Sequence, residues 1–442
     1  MTQRSLTTLA LALVLVLFAA ACSGTDAGGE DTDTADTGDA TAADGDDAAD
    51  DGEAVASSLI DVEECTDPEA ATAAIDGPIK VGWTAPLSGP LATAVGAVLS
   101  GMEARFALVN EAGGIDGHEI EVLSKDDAFD PERAKGNVAE LIEVDGVHVL
   151  DLFGSGQLNA VADDQNIACV PLLFAQAGLP EYRDAEAYPW TTEYLPSAAV
   201  EMSLIVERLQ GEFPDGGTVA LAINPTTSGV ALSEGFIEAA EGTSLEIVAE
   251  ADLTDPDAAA TTLSTSGAEI LVNAGVTTDC LALTNAIARV GWQPEAVVQP
   301  SNCVDGTTLF APAGEAADGQ MLMMWLKEPG NPAFDDDAVA DYLAAVEAFG
   351  IDNPDTYTVN GWVVADMMVN VFESAAASDT GLSRLGIMEA ARTQSYAPPM
   401  FIDGITWEMS PEQSLGIVSL QPTRWNAAES RFELDGDVIA LS

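Results

Sequence analysis

The feature that most constrains the fold is an alternation of apolar runs and amphipathic segments along most of the chain. An apolar run at 79–83 is followed by turn-forming residues, and apolar positions then recur every three or four residues over 91–109. That period indicates one buried face of a helix. A second apolar run at 120–123 leads to Asp130 and Pro131, which suit a helix cap and a first helical turn. Strand, helix, strand and helix in this order predict the start of a parallel sheet.

The same alternation continues in two groups. The first group adds predicted strands at 147–153 and 170–174 and a short one at 190–192. The second group is predicted from a helix at 198–209 onward. Its strands are predicted at 218–223, 245–250, 269–273 and 296–299, with helices near 229–240, 257–265 and 280–290. Three later helices, at 336–348, 355–375 and 382–393, are predicted to complete the first group.

Three short stretches within residues 79–131, the first strand-helix-strand-helix segment, resemble a known family. They are IKVGWTAPLSGP at 79–90, NEAGGIDG at 110–117 and DDAFDP at 126–131. In order and spacing they resemble the solute receptors of ATP-binding-cassette importers that bind branched-chain amino acids and amides, and the resemblance covers about 77–435. It implies an α/β fold of two Rossmann-like lobes, of the type I periplasmic binding protein class. A three-strand hinge would join the lobes, with a ligand cleft between them.

The N-terminal residues have the composition of an export signal followed by an unstructured tether. Residues 1–21 combine Arg4 with an apolar stretch too short to span a bilayer, and small residues precede Cys22. This junction resembles a lipobox, which would make Cys22 a diacylated N-terminus. An ordinary signal peptide with an incidental cysteine is the alternative. From Cys22, the segment 22–58 has twelve Asp or Glu and no Lys or Arg, so we expect an extended acidic tether.

The folded part is predicted to divide between the two lobes. Segments 77–193 and 328–400 are assigned to the N-terminal lobe, and 196–326 and 401–442 to the C-terminal lobe. The net charge of −60, from 14 Lys and Arg against 74 Asp and Glu, repels nucleic acid and anionic membranes. We therefore expect no nucleic-acid partner, and membrane attachment through the lipid anchor only. Solubility explains the acidity most simply; specific cation binding is the alternative.

Four cysteines besides Cys22 are an even number, which favours two disulfides in an exported protein. Of the three possible pairings we favour Cys280–Cys303, because each residue follows a predicted strand end and neighbouring parallel strands would bring the two loops together. The remaining pair, Cys65–Cys169, would then attach the segment ahead of the first strand to the first lobe. A zinc site would need short paired cysteine spacings, which the chain lacks, so we expect no metal centre.

The resemblance also implies where a ligand would be held. Ser155 stands after a predicted strand, where the family has a serine that binds the ligand carboxylate. A predicted helix begins there, and its free amides and dipole would favour an anion; capping of that helix by Ser155 is the alternative. Gln176 and Gly178 follow the next strand, at positions that the family uses for backbone and hydroxyl contacts. The family threonine is missing, so side-chain help would have to come from Gln176.

Other ligand positions depart from the family pattern. Ser228 and Val276 replace aromatic residues, and Tyr357 matches an aromatic wall position, with a helix-core tyrosine as the alternative. Ser301 stands where amino-acid receptors of this group have a glutamate that pairs with the ligand ammonium. A serine cannot neutralise a buried cation, and an unpaired buried charge is costly. This departure puts an α-amino acid in doubt and leaves an amide, a urea-like solute or an amine-free carboxylate equally compatible.

No enzyme signature has supporting context in the sequence. The chain has four lysines and none follows a glycine, which excludes a Walker A loop, so the transporter's ATPase would be another chain. His118 lies by a predicted turn and His148 in an apolar strand, where structural roles are commoner than catalytic ones. No Ser/His/Asp set has supporting local motifs. We therefore expect a protein that is not an enzyme and that uses no cofactor.

Signal, tether and two-lobe pattern together predict an extracytoplasmic receptor, anchored at the outer face of the cell membrane as a lipoprotein. It would bind a small polar solute and act with the membrane permease and separate ATPase subunits of an importer. We expect a monomer. A sensor of the same fold that serves a signalling partner is one alternative, and an exported α/β hydrolase is a more remote one.

Overall fold

The structure is a computed structural model that describes residues 60–411 and 413–441. The predicted signal peptide, Cys22 and the acidic tether lie outside the described residues. Within them, strands and helices alternate as the sequence predicts and build two open sheets, one of five strands and one of eight, together with a small antiparallel sheet of three strands. The observed architecture is the predicted two-lobe α/β fold.

Helices and strands follow one another in three successive stretches of chain. The first stretch contains α1 (Pro68–Thr72), β1 (Ile79–Ala85), α2 (Ala92–Glu111), β2 (Ile120–Asp126), α3 (Pro131–Glu140), β3 (Val149–Leu152), α4 (Ser155–Ala168), β4 (Leu172–Ala175) and β5 (Thr191–Glu193). The second contains α5 (Ala198–Glu212), β6 (Gly217–Ile223), α6 (Thr227–Ala240), β7 (Leu245–Asp252), α7 (Pro256–Leu263), β8 (Ile270–Ala274), α8 (Thr277–Val290), β9 (Ala296–Gln299) and β10 (Met321–Met324). The third contains α9 (Asp337–Phe349), α10 (Thr356–Ala376), α11 (Arg384–Arg392), β11 (Ser395–Tyr396), β12 (Trp407–Ser410), β13 (Gln413–Ile417), β14 (Ser419–Asn426), β15 (Arg431–Leu434) and β16 (Ile439–Ala440).

The five-stranded sheet is parallel throughout, in the order β2-β1-β3-β4-β5. Its central strands are apolar on both faces because helices cover both of them. Trp83 of β1 belongs to the core on the α2 face, whereas Leu150 of β3 packs with Val138 of α3 and Leu158 of α4 on the other. This arrangement places the loops that follow β1 to β4 at one edge of the sheet.

The eight-stranded sheet has a parallel centre and an antiparallel edge. Strands β10, β9, β8, β6 and β7 are parallel neighbours, β14 pairs antiparallel with β10, and β15 and β16 pair with β14. The loops after β6, β8 and β9 therefore share one edge of this sheet, as the first lobe's loops share theirs.

Helix α2 packs closely against α10. The two helices approach at two glycines: a Cβ on Gly101 would lie 2.0 Å from the Thr358 carbonyl oxygen, and one on Gly361 would lie 1.8 Å from that of Val98. Within the described part of the chain, α2 is also the one helix with the length and hydropathy of a membrane span. Its contacts with α10 identify it as a core helix of the first lobe.

Three chain segments lie together at the boundary between the lobes. The chain crosses from one lobe to the other in the segments that follow β5 and β10, and a third segment, which precedes β12, lies against the second one. The third crossing itself falls between β13 and β14. The indole Nε1 of Trp325 donates to the Tyr194 hydroxyl oxygen at 2.9 Å, and Leu326 forms an antiparallel bridge with Phe401. These contacts hold the first two crossings of the hinge against each other and against the segment before β12.

The C-terminal segment differs in one respect from the predicted lobe assignment. Strand β12 pairs with β11, and the Trp407 ring packs edge-on against Phe174 of β4 at a centroid separation of 5.2 Å. The β12–β13 hairpin therefore lies with the first lobe, and β14 to β16 join the eight-stranded sheet. The other lobe limits remain a prediction.

Both favoured disulfides are present in the structure. Cys65 pairs with Cys169 at a Cα–Cα distance of 5.5 Å, and Cys280 pairs with Cys303 at 6.1 Å. The second bridge joins the start of α8 to the turn after β9, and β8 and β9 are parallel neighbours as the prediction required. The first bridge attaches the chain ahead of α1 to the end of α4.

Candidate functional site

A cavity of about 250 Å³ lies between the loop edges of the two sheets. This volume is just below the roughly 300–1,000 Å³ of pockets for drug-sized ligands, so it suits a small solute. Six of the seven predicted ligand residues line it: Ser155, Gln176, Gly178, Ser228, Val276 and Ser301. The first lobe contributes the loops after β1 to β4, and the second contributes the first turns of α5, α6 and α8 with the turn after β9.

The N-terminus of α4 opens onto the cavity. Gly154 is the N-cap, with a φ of +116° that favours glycine, and no side chain caps the helix. Ser155 is the first helical residue and is 4% exposed, so it does not act as the cap. The first amides of a helix have no partner inside it, and the helix dipole favours a negative charge there. This end of the cavity is therefore suited to an anionic group.

Gln176 is held from behind by buried polar groups. Its Oε1 accepts a hydrogen bond from Asn360 Nδ2 at 2.6 Å, which ties the loop after β4 to α10. Asp151 lies beyond it, fully buried. Burial raises the pKa of the Asp151 carboxyl well above its usual range, while the Leu152 amide, Gln176 and Trp83 oppose that shift. The Gln176 side chain is thus part of a network beneath the cavity as well as part of its lining.

Gly178 allows two segments to touch at the edge of the cavity. A Cβ at this position would lie 2.6 Å from the Pro196 carbonyl oxygen, and the Gly178 carbonyl accepts from the Ala198 amide at 3.0 Å. The loop after β4 therefore lies directly against the chain that enters α5. The glycine is explained by this close approach.

The aromatic wall comes from the first lobe. Phe129 and Phe153 line the cavity, and the second lobe contributes Ser228 and Val276 where the family resemblance implied aromatic residues. Neither Phe129 nor Phe153 was predicted as a ligand residue, because Asp130 and Pro131 beside Phe129 indicated only the start of a helix and Phe153 was assigned to a strand.

A strained turn presents Phe129. Ala128 and Phe129 have φ of +51° and +63°, which is unusual for residues with a side chain. Asp126 Oδ1 accepts from the Ala128 amide at 2.9 Å, and Asp127 Oδ1 accepts from the Phe129 amide at 2.8 Å. Two consecutive aspartates ahead of an aromatic residue were the available signal for this turn.

Tyr357 lies behind the cavity wall rather than on it. It is in the first turn of α10 and 7% exposed, and it is not among the residues that line the cavity. The helix-core alternative describes this placement.

Ser301 binds a carboxylate that sequence analysis did not place. Its amide donates to Glu201 Oε1 at 2.6 Å and its hydroxyl donates to Oε2 at 2.7 Å. Glu201 is in the first turn of α5, 3% exposed, and lines the cavity. Burial raises the pKa of this carboxyl to about 7, and the two bonds from Ser301 oppose the shift. The sequence signal was a glutamate on the same helix face as the buried Leu204 and Ile205.

The histidines have structural partners. His118 Nδ1 lies 2.6 Å from the Gly77 carbonyl oxygen, and His148 Nδ1 accepts from the Lys80 amide at 3.0 Å. Burial lowers the pKa of His148 to about 4. Across residues 60–411 and 413–441, no group of three or more His, Cys, Asp and Glu side chains is placed to bind a metal ion.

Two hinged α/β lobes with a cavity between their loop edges define a two-lobe solute-binding protein. The family model described as "Periplasmic binding protein" matches residues 78–419, and the chain belongs to this family. Membership is indicative of an extracytoplasmic location.

Curated relatives include Leu/Ile/Val-binding proteins of Brucella. The chain is 26% identical over 248 residues to homolog 7 of Brucella abortus, which is 52% of this chain and 60% of that protein. It is 24% identical over 315 residues to homolog 3 of Brucella melitensis, 68% of this chain and 80% of that protein. The chain thus spans about 60% of the length of the first of these relatives.

Solved structures share the fold. A branched chain amino acid ABC transporter protein from Thermus thermophilus, with bound valine, has a TM-score of 0.73 at 17% identity, over 83% of this chain and 98% of that one. A solute binding protein from R. palustris in complex with benzoate has a TM-score of 0.68 at 17% identity, over 82% and 98%. The family and these neighbours are binding proteins rather than enzymes.

Proposed function

We propose that this protein is an extracytoplasmic receptor that binds a small polar solute between its lobes and delivers it to an ATP-binding-cassette importer. The observation that carries the proposal is the cavity, which takes its walls from both lobes and is also lined by Leu195 and Pro196 of the segment that crosses between the lobes after β5. A solute that contacts both walls binds the closed form better than the open form, and this difference is what closes a hinge. The receptor itself performs no chemistry on the solute.

The polar groups of the cavity favour a solute with an anionic or strongly accepting end. Helix α4 begins at Ser155, and the first turns of α5, α6 and α8 also line the cavity, so several helix N-termini meet there. Phe129 and Phe153 provide apolar surface for the rest of the molecule. Branched-chain amino acids, amides, urea-like solutes and carboxylates fall within this range, and two fold neighbours hold valine and benzoate.

We also propose a location and partners for the receptor. We place the chain at the outer face of the cell membrane, held by lipidated Cys22 through the acidic tether. A permease and separate ATPase subunits would take the solute from the closed receptor, and the receptor would act as a monomer. Family membership supports this scheme.

A thermal-shift screen of amino acids, amides, urea, and aliphatic and aromatic carboxylates tests solute binding. At a hundred times its dissociation constant, a solute adds about 2.7 kcal/mol to the free energy of unfolding, which raises the melting temperature by several degrees. Ser155→Ala should lose most of this shift, because it changes the anion end of the cavity. Ser374→Ala, an exposed serine of α10, is the matched control and should respond like the wild type.

Delivery is tested separately by uptake of the labelled solute in cells that lack the chain. Uptake should fall and should return with the wild type but not with the Ser155→Ala variant. A wild-type protein with no response to any of these solutes would contradict the binding proposal, and unchanged uptake would contradict delivery.

A further inference from the structure

Glu201 is the one ionisable side chain among the described residues that line the cavity. It is nearly fully buried, and it takes part in none of the ion pairs found between the described residues. A buried carboxylate without a cation is costly, and proteins compensate such groups by pairing or by neutralisation. A group retained at this cost, on the wall of a binding cavity, is a candidate for contact with the ligand.

The geometry leaves this carboxylate able to bind more. Ser301 donates one hydrogen bond to each Glu201 oxygen, at 2.6 and 2.7 Å. An ionised carboxylate has about four acceptor positions, so about two remain. Because the two bonds from Ser301 fix the plane of the group, its remaining acceptor positions are oriented before a solute arrives.

We propose that Glu201, held by Ser301, is a specificity-determining residue that selects solutes carrying a protonated amine. The proposal rests on the solute-binding function proposed above. An ammonium group would supply both the missing positive charge and up to three hydrogen-bond donors. The anionic end of the same solute would lie at the N-terminus of α4, where Ser155 lines the cavity. Each charged end would then contact a different lobe, so an amine-bearing anion would favour the closed form more than its amine-free analogue.

Serine at position 301 therefore does not exclude an amine-bearing ligand. Serine at 301 removed the carboxylate that the resemblance implied, and an amine-bearing ligand was therefore in doubt. In the structure Ser301 donates two hydrogen bonds to the Glu201 carboxylate of α5. Glu201 thus provides, next to position 301, the carboxylate that the family has at that position.

Isothermal titration with matched pairs of solutes tests the proposal. L-leucine is compared with 4-methylpentanoate and L-phenylalanine with 3-phenylpropanoate, since each pair differs only by the amine. The proteins are the wild type, Glu201→Gln, Ser301→Ala and, as matched control, Glu207→Gln, which changes an exposed glutamate of the same helix. Glutamine keeps the size of the side chain and an acceptor for Ser301, so the variant should fold.

We expect the wild type and Glu207→Gln to bind the amine-bearing member of at least one pair tenfold or more tightly than its analogue. Glu201→Gln should lose this preference and still bind the amine-free member within about threefold of wild type, and Ser301→Ala should show a reduced preference. A preference that survives in Glu201→Gln would overturn the proposal. A wild type that prefers the amine-free member of each pair, or that binds neither member, would also overturn it. In either case, binding of an amine-free solute in the thermal-shift screen would still support the receptor function.

Discussion

The Glu201 carboxyl should make the binding of an amine-bearing solute depend on pH. Burial raises its pKa to about 7 in the solute-free protein, and an ammonium group pairs only with the ionised form. Binding therefore requires loss of a proton below pH 7 and none above it. By linkage, affinity should fall about tenfold per pH unit below 7 and be constant at higher pH.

Titration of L-leucine or the tightest amine-bearing solute between pH 5.5 and 8.5 measures this dependence. Glu201→Gln should bind weakly and with little pH dependence. The amine-free analogue serves as the internal control, because its affinity for the wild type should not weaken on acidification. A wild-type profile that is flat for both solutes would refute the assignment.

The positions of single residues were predictable where the chain order alone determines them. Ser155, Gln176 and Ser301 follow strand ends, and parallel strands bring their ends to one edge, so all three line the cavity. Glu201 and Tyr357 lie on helices, where the rotation about the axis decides which way a side chain faces. Sequence period shows that Glu201 shares a face with buried residues, but it does not reveal that a cavity borders that face.

Among the elements, the contact between α2 and α10 depends on glycine. A Cβ on Gly361 would lie 1.8 Å from the Val98 carbonyl oxygen, which belongs to rigid helix backbone and cannot move aside as a side chain does. Gly361→Ala should therefore force the helices apart and lower the free energy of unfolding by about 2 kcal/mol or more. Urea unfolding, followed by circular dichroism, measures the change.

Gly96→Ala is the matched control for this prediction. Gly96 is also a helical glycine of α2, and a Cβ there would have no heavy atom within 4 Å. Because alanine is the better helix former, this variant should gain up to about 1 kcal/mol. Equal effects of the two substitutions would show that helix propensity, not the close contact, sets the cost.

Element order and type followed from periodicity, whereas the location of the β12–β13 hairpin did not. Strand and helix periods are local properties, and they predicted the elements of both sheets, whereas the hinge between the lobes was implied by the family resemblance. The hairpin is placed by Trp407 against Phe174 and by pairing with β11, contacts between residues far apart in sequence. The sequence of the hairpin alone therefore does not predict which lobe it packs against.

At the scale of the whole molecule, function depends on the balance between open and closed lobes. One contact that joins the lobes away from the cavity lining is made by Asp305, in the turn after β9. Its Oδ2 accepts from the Thr356 amide of α10 at 3.2 Å, while its Oδ1 accepts from the amide and hydroxyl of Thr308 in its own lobe. The side chain is 1% exposed, so water does not replace these bonds easily.

Asp305→Ala should shift the solute-free protein toward the open form without altering the cavity wall. Binding then has to supply the lost closing energy, so affinity should fall roughly three- to tenfold, as expected for a contact of about 1 kcal/mol. Small-angle X-ray scattering should show a larger radius of gyration without solute and the same value as wild type at saturation.

Asp305 is also the N-cap of a short π-helix, Gly306–Phe310, so the effect of losing a cap has to be separated from the effect of losing the lobe contact. Asp255 is the exposed N-cap of α7, and its Oδ1 accepts from the Asp257 and Ala258 amides at 3.1 Å. Because both bonds lie within one lobe, Asp255→Ala removes a cap without removing a contact between the lobes. Both variants should lose about 1 kcal/mol of stability, since each removes a cap. Only Asp305→Ala should also lose affinity, because only there does the carboxylate hold one lobe to the other. Equal affinities in the two variants would mean that the closed form is held by the solute and the hinge, with no contribution from this contact.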